Sequence, residues 1–151
     1  MPELKRILLV EDNANDVELT FAALEENHLA NEVVVVRDGA DALDYLYRRG
    51  IYKMRAEGNP AVVLLDLKLP KIDGLEVLKT VKSDVNLRTI PIVMLTSSRE
   101  EVDVVTSYGL GVNAYVVKPV DFTDFVSAIK KLGLFWAVIN EPPPGAVTRP
   151  R

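Results

Sequence analysis

Short apolar runs alternate along this chain with segments of helical spacing, and that alternation leaves few folds open. The runs are Ile7–Val10 after Lys5-Arg6, Val33–Val36 after Glu32, Ala61–Leu65, Pro91–Leu95 and Tyr115–Val117. An unbroken apolar run this short reads as a strand covered on both faces, as in the middle of a parallel sheet. The second run is valine throughout, and β-branched side chains favour the extended chain. Between the runs, Val17, Phe21 and Leu24 recur at helical spacing, with Asn15 or Asp16 as the expected cap. Ala42, Leu43, Leu46 and Tyr47 give an apolar face to a helix over Ala40–Arg49. Further helices are expected over Leu75–Ser83, over Glu100–Tyr108 before Gly109 and Gly111, and from a cap at Asp121 or Thr123 to about residue 138.

Strands that alternate with helices predict an α/β fold, a doubly wound parallel sheet with helices on both faces. Right-handed crossovers restrict its topology. The expected sheet is five-stranded and flavodoxin-like, in the order 2-1-3-4-5, with strands one and three side by side where the winding reverses. The 151 residues suit one domain, expected over residues 1–140, with a disordered Pro-rich tail from Glu141-Pro142-Pro143-Pro144-Gly145 to Arg151. Gly50–Pro60 reads as a surface extension whose structure the sequence leaves undecided.

Composition narrows the function classes. No cysteine is present, which removes disulfides and thiolate metal sites. The single histidine, His28, is expected on the surface and gives a His-based metal cluster or a Ser-His-Asp triad little to work with. A net charge of −4 offers no electrostatic footprint for nucleic acid. No apolar run approaches the roughly 20 residues that span a bilayer, and no signal peptide is evident, so a cytoplasmic location is expected.

Ligands of open α/β sheets bind beyond the carboxyl ends of the strands, so the residues that follow each run carry the chemistry. They are Glu11 and Asp12 after the first, Asp66 after the third, Thr96 and Ser97 after the fourth, and Lys118 before Pro119 after the fifth. Singly, each has an ordinary reading. Asp66 could be a turn residue, Glu11-Asp12 a solvated strand end, Lys118 a loop lysine, and Thr96-Ser97-Ser98 the cap of the next helix. Together they match one reaction. Clustered carboxylates gain from a divalent cation, and oxygen-only ligands suit Mg2+. An aspartate left with a free oxygen is a nucleophile able to form an aspartyl-phosphate. Lys118 and the Thr96 hydroxyl are suited to phosphoryl oxygens.

The motifs Ile7-Leu8-Leu9-Val10-Glu11-Asp12-Asn13, Leu64-Leu65-Asp66-Leu67-Lys68-Leu69-Pro70 with Asp73-Gly74, Val93-Met94-Leu95-Thr96-Ser97 and Ala114-Tyr115-Val116-Val117-Lys118-Pro119 resemble those of response-regulator receiver domains. The likeness covers about Lys5 to Val138. It implies that Asp66 accepts a phosphoryl group from the phosphohistidine of a sensor kinase. Glu11, Asp12, Asp66 and the backbone carbonyl of Lys68 would then hold Mg2+. Thr96, Ser97 and Lys118 would meet the phosphoryl group, and Tyr115 would swing inward to alter the face of the fourth helix, fifth strand and fifth helix. The Lys118-Pro119 bond would be cis.

The longer Gly50–Pro60 connection, with the expectation that no DNA-binding or catalytic domain follows, is similar to single-domain regulators that serve bacterial phytochromes; a further departure from the generic receiver is the apolar run Leu132–Ile139. Leu134, Phe135, Trp136 and Ile139 are either core or an exposed interface; a symmetric homodimer through them is expected. The expected partners are a sensor histidine kinase, in this likeness a bacteriophytochrome, or a histidine phosphotransfer protein. The competing class is a Mg2+-dependent phosphatase or phosphotransferase working through Asp66. Haloacid-dehalogenase-like phosphatases carry a second Asp two residues after the nucleophile, where this chain has Lys68. A nucleotide-binding role lacks a Gly-rich phosphate loop.

Overall fold

The structure, a computed structural model, describes residues 6–26, 33–112 and 114–131. The elements are β1 (Ile7–Val10), α1 (Ala14–Glu25), β2 (Val33–Val36), α2 (Gly39–Tyr47), a 3-10 turn at Gly50–Tyr52, β3 (Val62–Asp66), α3 (Gly74–Ser83), β4 (Ile92–Thr96), α4 (Arg99–Ser107), β5 (Ala114–Val117) and α5 (Phe122–Lys131). The strands form one five-stranded sheet in the order β2-β1-β3-β4-β5, and every pairing is parallel. The expected architecture and strand order are therefore those observed.

The period-two alternation of strand side chains divides the core into two layers. Ile7, Leu9, Leu64, Val93 and Leu95 face one side, where they pack with Val17 and Leu24 of α1 and Phe125 and Ile129 of α5. Leu8, Val10, Leu65 and Met94 face the other, against Leu43 and Leu46 of α2, Val77, Leu78 and Val81 of α3 and Val105 of α4. With both faces covered, β1, β3 and β4 are buried along their whole length, which is why these strands read as unbroken apolar runs.

The register brings the strand ends level. Val10 lies beside Leu65, Asp66 beside Leu95 and Thr96 beside Val117. Gly74, the first residue of α3, packs directly on the backbone that carries Asp66: a Cβ there would overlap the Asp66 carbonyl oxygen and crowd Leu67. Gly74 N–H also donates to the Leu67 carbonyl at 2.9 Å.

Some local expectations shift. The cap of α1 is Asn13, whose side chain accepts the N–H of Asp16, and not Asn15 or Asp16. Strand β5 starts one residue early, at Ala114. Of the two caps weighed for α5, Asp121 is used: its Oδ1 accepts the Asp124 N–H at 2.7 Å.

The extension over residues 50–60 is built around Arg55. Its guanidinium stacks 4.2 Å from the centre of the Tyr45 ring. It donates to the carbonyls of Tyr45 at 2.7 Å, Ala56 at 2.7 Å and Gly58 at 3.0 Å. At the end of α2 the Tyr45 carbonyl also accepts the Arg48 N–H at 3.2 Å, and the guanidinium, with its fork of five N–H groups, reaches the next carbonyl, that of Leu46, at 3.4 Å. His28, the tail from residue 141 and the interface candidates Leu134, Phe135, Trp136 and Ile139 lie outside the described residues.

Candidate functional site

Four strand ends converge on one edge of the sheet. Asp66 and Thr96 close β3 and β4, and Glu11 and Lys118 follow β1 and β5 directly. Backbone bonds fix their heights: Glu11 N–H donates to Val36 O at 3.0 Å, Leu67 N–H to Leu95 O at 3.1 Å and Lys118 N–H to Thr96 O at 2.7 Å. Glu11, Asp66 and Thr96 are buried, whereas Asp12 is exposed. One oxygen from each of Glu11, Asp12 and Asp66 falls within 4.8 Å of the others.

The Lys118 ammonium holds this group together. Its Nζ lies 3.1 Å from Glu11 Oε1, 3.0 Å from Asp16 Oδ2 and 3.2 Å from Asp66 Oδ2. Burial would lower the Lys118 pKa, but Asp16, Asp66 and Glu11 override it and hold the pKa above its ordinary value. Glu11 responds in the other direction. Burial first, then the hydrogen bond and negative charge of Asp66, push its carboxyl up to about 7. The Lys118 bond and the Asn13 N–H, 3.2 Å from Glu11 Oε2, oppose that rise only in part.

Thr96 is fully buried, and its Oγ1 has no hydrogen-bond partner. A buried hydroxyl left unpaired costs about 1–3 kcal/mol, so this atom is a donor waiting for an acceptor. Ser97 is differently placed. Its backbone N–H and its Oγ both donate to the Glu101 carboxylate, at 2.7 and 3.1 Å. Glu101 also pairs with the ammonium of Lys68 at 3.2 Å. The Ser97 N–H and Lys68 hold the Glu101 carboxyl below its usual range, against a smaller opposing effect of burial. Ser98 caps α4, accepting the Glu101 N–H at 3.3 Å.

Tyr115 is half-buried, with its phenol oxygen 3.0 Å from the Val112 carbonyl and 3.1 Å from Thr106 Oγ1 on α4. The Lys118-Pro119 bond is cis, as expected.

The structure thus brings together Glu11, Asp12, Asp66 and Lys118, with Thr96 on the strand between β3 and β5. Two acids escaped the sequence reading. Asp16 lies in the first turn of α1, a few residues after the Glu11-Asp12 strand end, and that closeness in sequence was the available signal. Glu101 carried none, because its role depends on how α4 folds back over Ser97.

The donor set fits a hard divalent cation: carboxylates only, close enough to share one ion and short of positive charge for all of them. A carboxylate nucleophile, an acid cluster able to hold a cation and a lysine, together at one edge of a parallel sheet, can support attack on phosphorus.

Comparison with known proteins decides the family. The model for the response regulator receiver domain matches residues 7–130. The chain belongs to the response-regulator receiver family. Among curated relatives, response regulator Rcp1 of Synechocystis sp. is 39% identical over 132 residues, covering 87% of this chain and 88% of its own. Among solved structures, the bacteriophytochrome response regulator RtBRR is 70% identical with a TM-score of 0.84, covering 93% of this chain and 85% of its own. The bacteriophytochrome response regulator AtBRR is 68% identical with a TM-score of 0.86, covering 93% of this chain and all of its own. Rcp1 is also known in a Mn(2+)-bound form, 37% identical to this chain with a TM-score of 0.68 and covering 97% of it and 99% of its own. Receiver domains belong to two-component signalling and bind a divalent metal, and in this chain Glu11, Asp12 and Asp66 form an acid cluster that could hold one. No helix among the described residues is long and apolar enough to cross a membrane.

Proposed function

We propose that this protein is a phosphoacceptor switch: Asp66 takes a phosphoryl group from the phosphohistidine of a sensor kinase. The observation that carries the reading is the Lys118 ammonium, which joins Asp66 to Glu11 beside a buried Thr96 hydroxyl with no partner. In the transfer, a carboxylate oxygen of Asp66 attacks phosphorus in line with the leaving imidazole. The new O–P bond forms as the P–N bond breaks, and the imidazole leaves with the bonding pair and takes a proton from solvent. Lys118 and Thr96 then meet two of the phosphoryl oxygens.

Glu11, Asp12, Asp66 and the Lys68 backbone carbonyl would hold Mg2+, which when bound neutralises charge on the transferring group. In the unphosphorylated arrangement Ser97 and the Lys68 ammonium are engaged by Glu101, so these groups reach the phosphoryl group only after that contact opens, whereas the Lys68 backbone carbonyl takes no part in it. The phosphoryl group adds about −1.5 to −2 of charge. By drawing Thr96 inward it frees room for Tyr115, which leaves its bonds to Thr106 and Val112 and changes the α4-β5-α5 face for partner binding.

We read the chain as a stoichiometric acceptor and not an enzyme. A haloacid-dehalogenase-like phosphatase would need an acid where Lys68 stands. The likeness to RtBRR and AtBRR, both bacteriophytochrome response regulators, favours a bacteriophytochrome kinase as the donor. A histidine phosphotransfer protein as partner, a homodimer through Leu134, Phe135, Trp136 and Ile139, and a cytoplasmic location complete the reading.

The test is incubation with Mg2+ and acetyl phosphate, followed by intact mass and size-exclusion chromatography. One phosphoryl addition is expected, absent in Asp66→Asn, together with the elution volume of a dimer. Catalytic release of phosphate without a stable addition would favour the phosphatase instead.

A further inference from the structure

Lys118 meets more acid than the proposed reaction uses. An ammonium has three N–H donors, and Glu11, Asp16 and Asp66 take one each. Two of these three, Glu11 and Asp66, are also members of the cluster that could hold a metal ion; Asp16 is not. A cation held by Glu11 and Asp66 would share these carboxylates with Lys118 and repel its ammonium, and Asp16 is the one carboxylate partner of Lys118 outside that cluster. Asp16 is built for the task. It lies in the first turn of α1, where the helix dipole favours a negative charge. Its backbone is pinned by Asn13 Oδ1, which accepts the Asp16 N–H at 3.0 Å, and by Thr20 Oγ1, which donates to the Asp16 carbonyl at 2.8 Å. Its Oδ2 makes the shortest of the three contacts with Lys118.

We propose that Asp16 is a positioning residue for Lys118: it retains the ammonium at the site while Glu11 and Asp66 are given over to a divalent cation, and releases it toward a phosphoryl group on Asp66. This rests on the phosphoacceptor reading above and adds a fourth acid, from α1, to the working parts of the site. Without Asp16, Lys118 falls back on Glu11 and Asp66 and opposes the cation there.

The experiment is Mg2+ titration by calorimetry at pH 8 on the full chain, with four proteins: wild type, Asp16→Asn, Lys118→Met and the double variant. Residues in one charge network couple by about 0.5–3 kcal/mol. Accordingly, Asp16→Asn is expected to weaken Mg2+ binding about fivefold when Lys118 is present and less than about twofold in the Lys118→Met background. Asp16→Glu, which keeps the charge, should recover most of the affinity. Equal weakening in both backgrounds would mean that Asp16 acts only as a nearby negative charge, and no weakening in either would mean that it holds nothing; both overturn the proposal. If the wild type itself fails to bind Mg2+, the phosphoacceptor reading falls too, so the two failures are told apart. Thermal melts of all the proteins separate a folding defect from a change at the site.

Discussion

Replacing Glu11 by Gln isolates the electrostatic cost built into the site. Glu11 is fully buried beside Asp66, and its carboxyl rises from an ordinary 4.5 to about 7. The direction follows from proton counting. Between those two values the folded protein holds a proton that the unfolded chain has released, so stability falls as pH rises. Below 4.5 both states are protonated and there is no penalty; above 7 the penalty is complete. At 1.36 kcal/mol per pKa unit, the wild type is expected to give up about 1 kcal/mol by pH 5 and about 3 kcal/mol by pH 8.5. Glutamine keeps the shape and never ionises, so Glu11→Gln should gain on the wild type by about 2–3 kcal/mol across that range. Urea unfolding at half-unit pH steps, with chelator present, reads the difference directly. A difference that stays flat from pH 5 to 8.5 would refute the argument, for it would mean that Glu11 is ionised as readily in the fold as in the open chain. The same titration governs the cation: ligands must be deprotonated to bind, so Mg2+ affinity should weaken below about pH 7.

Two further outcomes follow from the packing. Gly74→Ala sets a Cβ against the Asp66 carbonyl oxygen; it should cost about 1–3 kcal/mol as an overpacked contact, and the displaced Asp66 backbone should slow phosphorylation by acetyl phosphate, which a time course of intact mass would reveal. Arg55→Ala removes the donor that closes the end of α2 and its stacking on Tyr45; it should cost about 1.5–3 kcal/mol in urea melts while leaving phosphorylation of Asp66 unchanged, because the extension is remote from the acid cluster.

Much of this site was legible in the sequence for a physical reason. A doubly wound sheet must bury its central strands on both faces, so each strand announces itself as an apolar run, and whatever polar residue follows it stands at the ligand edge. Glu11, Asp66, Thr96 and Lys118 could be read this way because their positions depend only on strand ends and strand order. What stayed hidden depends on helices and side-chain reach. Asp16 looked like a cap for α1, but Asn13 ends the turn first and takes that role, which leaves the Asp16 carboxylate free to meet Lys118. Ser97 looked like an open phosphoryl ligand, yet α4 returns Glu101 to it from four residues on. Residues 50–60 carried too few apolar side chains to predict order; their order comes from one arginine that bonds the Tyr45 carbonyl in the last turn of α2 and the Ala56 and Gly58 carbonyls of the extension itself, which no periodicity encodes.

The most direct measurement is the chemical location of the phosphoryl group. An acyl phosphate is reduced by borohydride to the alcohol, so an aspartyl-phosphate becomes homoserine. After treatment with Mg2+ and acetyl phosphate, reduction and peptide mass analysis, homoserine is expected at position 66 and nowhere else. Reduction at Asp12 or Glu11, or phosphate retained on a hydroxyl such as Thr96, would contradict the assignment of Asp66 as the acceptor.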